Sequence, residues 1–251
     1  MEKENEKIAE FCVDSSVILD LFYLYKNNKA GIVNTLKRKR GSTDYVPKMY
    51  SLLKDGQIKL YVPYNVLGEV YYLDRIDFSE VKKFLENHNF VNMKSVLYKN
   101  KELGSKRATL AWRYSKQLSP ELIELLQKRI GDKGVNLNLH RPIFELSPKG
   151  KPSKYAQNVA ESAVAGLPFI TVNDQIYRKC YREEMIEFVN RGVPGVDGDA
   201  KPITPEYMFQ LAVSENKPQL SPAFAKKLAE VKGDIKNFDF EPMVTEPEMN
   251  M

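Results

Sequence analysis

The chain has 251 residues, 43% of them hydrophobic and 28% charged, with a formal charge of +5 and only two cysteines and two histidines. That length can bury one sizeable core, and no apolar run approaches the eighteen or so residues that a membrane-crossing helix needs. Cys12 and Cys180 make neither a disulfide framework nor a Cys-only zinc site, and His88 and His140 are too few for a His-rich centre, so any metal chemistry must use oxygen ligands, which favours Mg²⁺ or Mn²⁺.

The first seven residues are dominated by Glu and Lys and carry no secretion-signal core, so the expectation is a cytoplasmic protein with no membrane partner. Phe11-Cys12-Val13 then reads as a short buried strand closing on Asp14, followed by a helix over 17–25 capped by a serine hydroxyl. A break at 26–30 precedes a helical pattern over 31–39. That stretch ends in Lys37, Arg38, Lys39 and Arg40 before Gly41. Such a run either complements a helix C-terminus or binds phosphate.

Val46, Met49, Tyr50 and Leu53 fall at helical spacing within 44–53, and residues 58–63 alternate as a strand. Helices are expected over 65–73, carrying Glu69, then over 78–86 and 99–118. Residues 119–154 begin with a short helix to about 130 and continue through five Gly and Pro punctuations (Gly131, Gly134, Pro142, Pro148, Gly150) into Pro152. This segment reads as an insertion or long loop. Small residues at 156, 160, 162, 163 and 165 suit a tightly packed helix over 155–165, which turns at Gly166 into a strand over 169–172 ending on Asn173-Asp174.

A helix over 183–191, a short strand at 202–203 and a helix over 205–213 complete the pattern. Residues 214–251 form a tail with one helix near 222–232 and a disordered, acidic end over 241–251. Strand and helix alternate with strands too far apart for hairpins, which predicts an α/β, three-layer architecture with a mainly parallel sheet. No Gly-rich phosphate loop of the P-loop or dinucleotide type occurs.

In parallel sheets ligands sit beyond the carboxyl ends of the strands. Two strands end on acids, one at Asp14 and the other at Asn173-Asp174, and Glu69 lies early in the helix after a third. If the first two strands are neighbours, their carboxylates share a crevice. Clustered carboxylates need a cation or a proton between them. Two metal ions there would clamp the attacking and leaving oxygens of a phosphodiester. Each acid taken alone is as readily a helix cap.

Three segments taken together resemble the PIN-domain family of nucleases: residues 11–19 with Asp14, residues 60–70 with Glu69, and residues 156–174 with Asn173 and Asp174. The run at 202–206 resembles that family's close. The resemblance covers 8–213 apart from the insertion at 119–154. It implies a Mg²⁺- or Mn²⁺-dependent endoribonuclease cleaving single-stranded RNA. Asp14, Glu69 and Asp174 would be its catalytic acids, Asn173 a further ligand, and Ser16, Asn158 and Thr171 supporting groups.

Counting back from Thr171 puts Tyr155 where the family carries its remaining acid, and a phenol of pKa about 10 does not readily ligate Mg²⁺. Asn158, one turn on, offers a neutral ligand, and Glu161 a charged one that is rotated away. Alongside the enzyme, therefore, stands a catalytically impaired module that binds RNA or a protein partner. Fold analogy alone would add a toxin with an antitoxin-like partner, and the sequence leaves a homo-oligomer open.

Lys149, Lys151 and Lys154 could contact RNA phosphates, or be ordinary solvated charge. Trp112 and Tyr114, near Lys106, Arg107 and Arg113, are expected in the core rather than on a base-stacking surface. The same choice between core and surface applies to Tyr71 and Tyr72. His88 is expected to be structural or exposed.

Overall fold

The computed structural model describes residues 7–29, 45–73, 76–115, 150–172, 193, 201–231 and 234–240. Five strands form one sheet: β1 (Ala9–Val13), β2 (Ile58–Val62), β3 (Phe90–Asn92), β4 (Phe169–Ile170) and β5 (Pro202–Ile203). Their order is β3-β2-β1-β4-β5 and every pairing is parallel. Parallel strands are covered on both faces and read as nearly continuous apolar runs. Phe11, Cys12 and Val13 in β1 and Leu60, Tyr61 and Val62 in β2 fit that rule, all fully buried.

The helices among the described residues are α1 (Ser15–Lys29), α2 (Tyr45–Lys54), α3 (Tyr64–Tyr71), α4 (Phe78–Asn87), α5 (Lys94–Lys99), α6 (Lys101–Ser115), α7 (Lys154–Ala165), α8 (Pro205–Ala212) and α9 (Pro222–Glu230). The chain runs outward from β1 to β2 and β3, then returns to place β4 on the other side of β1. Right-handed crossovers put the helices of the outward and returning halves on opposite faces. Accordingly α1 packs with α2 and α4, and α6 packs along α7 and against α5. The reversal makes the carboxyl end of β1 the switch point of the sheet, where a crevice opens.

Several elements differ from the sequence reading. Helix α1 does not break at 26 but continues to Lys29. Lys26 lies over the Phe22 ring and forms an ion pair with Glu80 of α4, so tertiary contacts carry the helix past its apolar stripe. Strand β3 and all of helix α5 but Lys99 occupy residues assigned to no element, and the helix expected from 99 starts at Lys101. Helix α7 begins at Lys154 with Ser153 as its cap, so the last residues of the expected insertion are ordered. The helical patterns over 31–39 and 183–191, the helix to about 130 and the acidic end over 241–251 lie outside the described residues.

Residues 214–240 join the same core. The Glu10 N–H donates to Pro218 O at 2.9 Å and the Ser221 N–H to Ala165 O at 2.9 Å, while Phe224 and Phe238 are fully buried. Gly166 ends α7 in the left-handed conformation, φ 73°, and a β-carbon there would lie 3.0 Å from Ser221 Cβ. Gly166→Ala is expected to destabilise the protein by about 1–2 kcal/mol, from strain and crowding together. The urea midpoint, with unchanged slope, measures it.

Among the described residues no helix is long and apolar enough to cross a membrane. Cys12 is reduced and buried in β1, and burial pushes its thiol far above the ordinary range. His88 is structural. Its Nδ1 is 2.8 Å from Phe84 O at the end of α4, and its ring packs on Tyr25 and Phe84.

Candidate active site at the carboxyl end of β1

Asp14 leaves β1 where the strand ends. Its N–H donates to Ile170 O of β4 at 2.9 Å, and its carbonyl accepts from Val17 and Ile18 at 3.1 Å, so the backbone holds the residue between strand and helix. The residue is 2% exposed. Its Oδ2 accepts from Ser16 Oγ at 2.9 Å and from Thr171 Oγ1 at 2.8 Å. Its Oδ1 is buried with no hydrogen-bond partner.

Glu69 reaches the same place from α3. Its Oε2 accepts from Ser15 Oγ at 2.6 Å, and its Oε1 lies 3.4 Å from Asn158 Nδ2 and 3.6 Å from Lys154 Nζ. Asn158 projects from α7, whose buried alanines (Ala156, Ala160, Ala163) allow close packing, and it is itself fully buried. Its Oδ1, like that of Asp14, has no partner. An unpartnered buried oxygen costs about 1–3 kcal/mol. Two of them beside a pair of carboxylates are what an oxygen-ligated cation would satisfy.

The electrostatics agree with that demand. Burial raises the Asp14 carboxyl above its ordinary value, against the Thr171 and Ser16 hydroxyls that hold it down. Glu69 is raised first by burial and then by the charge of Asp14, with Ser15, Lys154 and Asn158 opposing. Each carboxylate is short of positive charge, and Lys154, 56% exposed, is a screened partner.

Helix α1 starts at Ser15 rather than at 17, so both serines lie in its first turn, where their hydroxyls donate to Glu69 and Asp14. Of the residues singled out in the sequence, Asp14 with Ser16 and Thr171, and Glu69 with Asn158, form two neighbouring hydrogen-bonded groups, with Lys154 beside Glu69. Lys151 lines a separate cleft of about 330 Å³ with Arg107 and Trp112. Trp112 is 40% exposed, contrary to its expected core position, while Tyr114 is buried. Tyr71 and Tyr72 are likewise exposed. Asn173, Asp174 and Lys37 to Arg40 lie outside the described residues. Among the described residues no three Asp, Glu, His or Cys side chains stand close enough to hold a metal.

Sequence reasoning missed Ser15, whose partner is 54 residues away. It also missed the use made of Glu161. That side chain is fully buried on α7 and accepts from the Tyr64 N–H at 2.9 Å, Tyr98 Oη at 3.3 Å and Arg107 Nη1 at 3.5 Å. Helix α3 has no side-chain cap at its start. Glu161 takes that place from another helix and so anchors the helix carrying Glu69. Its aim away from Asp14 agrees with the rotation expected from the sequence.

Burial pushes Glu161 up to about 7, despite Arg107 and the Tyr64 N–H. Asp14, Glu69 and Glu161 therefore all favour the neutral acid when folded. Such groups contribute stability that is complete below their unfolded values of about 3.9–4.3. It is lost as pH rises through the folded values. Thermal midpoints in a chelating buffer are expected to fall from pH 5 to pH 8, and Glu161→Gln should flatten the part of that slope near pH 7.

Comparison with family models, with characterised proteins and with solved structures found no match.

Proposed function

We propose that the chain is a PIN-like, Mg²⁺- or Mn²⁺-dependent endoribonuclease acting on single-stranded RNA in the cytoplasm. The observation that carries this reading is the pair of unpartnered buried oxygens, Asp14 Oδ1 and Asn158 Oδ1, beside Glu69 at the switch point of a parallel sheet. Asp14 and Glu69 would hold the metal, Asn158 would add a neutral oxygen, and Asn173 and Asp174, outside the described residues, would complete the set. This oxygen-only donor set suits a hard divalent cation. The bound ion would supply a nucleophilic water at neutral pH and stabilise charge on the phosphodiester.

The protein's own groups do the positioning. Ser16 and Thr171 fix one oxygen of Asp14 and leave the other for the ion. Ser15 fixes one oxygen of Glu69, and the other faces Asn158 and Lys154. Lys154, beside Glu69 at the cleft, would meet a phosphate oxygen of the RNA.

Tyr155, standing where the family would place an acid, favours the second reading, a catalytically impaired module that binds RNA or a protein partner. One experiment separates the two. Mn²⁺ calorimetry on wild type, Asp14→Asn and Glu69→Gln is run beside cleavage of a labelled single-stranded RNA. The enzyme reading expects metal binding and cleavage in the wild type and loss of both in the variants. RNA binding without metal uptake or cleavage would establish the module.

A further inference from the structure

The cleft in front of Glu69 is about 570 Å³ and is lined on its polar side by Ser15, Ser16, Glu69 and Lys154. That volume is in the range of ordinary small-ligand sites. Its other side is aromatic, and one of the rings comes from the far end of the chain. Phe240 stacks on Tyr64 with centroids 5.4 Å apart and planes at 28°, and it meets Tyr71 at 4.9 Å and Tyr72 edge-on at 5.7 Å.

Phe240 is held there by its neighbours. Phe238 is buried, Asn92 Nδ2 donates to Asn237 O at 2.6 Å, and Lys82 forms an ion pair with Asp239. At Gly68 of α3 a β-carbon would lie 2.9 Å from Phe240 Cζ, so glycine lets the ring lie against the helix. Tyr72 is 62% exposed, with Tyr71 39% and Leu73 38% exposed beside it. Adjacent apolar side chains left open to solvent at a polar cleft mark a binding surface rather than a core.

We propose that this aromatic wall is a stacking subsite for one unpaired nucleobase of single-stranded RNA. Tyr72 and Phe240 would be its surfaces, beside Glu69 and under Lys154. That the polymer is RNA rests on the nuclease reading. A base offers a flat face to the rings, and its phosphate carries the charge that Lys154 complements. Duplex bases are already stacked on each other, so the wall selects unpaired ones. Residues 237–240 are then part of the substrate site as well as of the fold.

The test uses the full chain and a hexanucleotide RNA carrying one 2-aminopurine. Fluorescence quenching and anisotropy are read in EDTA, on the Asp14→Asn background, where one carboxylate's repulsion of the phosphates is gone. Quenching is expected on binding. Tyr72→Ala and Phe240→Ala should each weaken affinity about 5- to 100-fold, and Tyr72→Phe and Phe240→Tyr should restore it. Gly68→Ala should cause a similar loss by displacing the Phe240 ring, although alanine favours the helix. Tyr72 is exposed enough that its replacement leaves the fold intact, which a thermal melt verifies.

Unchanged affinity in both alanine variants, or no RNA binding by the parent, overturns the subsite. Self-association that Tyr72→Ala dissolves also overturns it, because the face would then belong to a second copy. If wild type cleaves RNA with Mn²⁺ while the aromatic variants bind normally, only the subsite fails. If quenching depends on the aromatics and no cleavage occurs, the subsite stands and the nuclease reading fails.

Discussion

Asp14→Asn is expected to lose at least about 100-fold in RNA cleavage while making the metal-free protein more stable by about 1–2 kcal/mol at pH 8. The two effects have one origin. Asp14 is buried, one of its oxygens has no partner, and burial raises its carboxyl. Asparagine keeps an oxygen for the Ser16 and Thr171 hydroxyls but carries no charge to desolvate. The gain should shrink as the pH is lowered and the buried aspartate itself takes up a proton.

Saturating Mn²⁺ should reverse the order. A ligand at 100 times its dissociation constant stabilises the state that binds it by about 2.7 kcal/mol. Wild type would then melt above the variant. Urea titrations of both chains, with and without Mn²⁺, give four midpoints that must cross in this way. A variant that is less stable than wild type in EDTA as well would mean that Asp14 is a structural acid.

Arg107→Ala should cost about 3 kcal/mol at pH 8, near the lower end of what breaking a buried ion pair costs. Arg107 Nη1 donates to Tyr98 Oη at 2.7 Å and lies 3.5 Å from Glu161 Oε1, a long contact that argues against a larger figure. The loss comes chiefly from leaving Glu161 buried without its counter-charge. It should therefore be smaller at pH 5, where Glu161 takes up a proton. Glu161→Gln in the same chain should recover a good part of it. Cleavage should fall in Arg107→Ala beyond what stability explains, because Glu161 fixes the first turn of α3 and through it Glu69. Equal losses at both pH values would show that Arg107 acts by packing over the Tyr98 ring, 4.5 Å away.

The parts of the site that were legible in the sequence obey local rules. Asp14 and Thr171 stand at the ends of apolar runs, and parallel strands carry their chemistry at that end. Glu69 followed from its place early in the helix after the 58–63 strand, whereas Asn158 and Thr171 entered as supporting groups through the family resemblance. Strand β3 was not legible because Phe90, Val91 and Asn92 are too few to show alternation, and α5 is only six residues long. Residues 112 and 114 are about 200° apart on a helix, so Trp112 and Tyr114 could not both face the core. Which of them does so depends on how α6 lies against α7. The Arg107–Glu161 pair and the Phe240–Gly68 contact join residues far apart in sequence, and nothing in either segment announces the other.

The long return from β3 to β4 also has a consequence in time. Asp14 is made well before its Thr171 partner, which comes 157 residues later. At the usual 5–20 residues per second of synthesis, roughly ten seconds or more separate the acid from the hydroxyl that orients it. Phe240 emerges later still. On the ribosome the growing chain can pair β1 with β2 early, yet Asp14 lacks that hydroxyl until β4 has been made. The centre is thus assembled only once the returning half of the sheet has been synthesised.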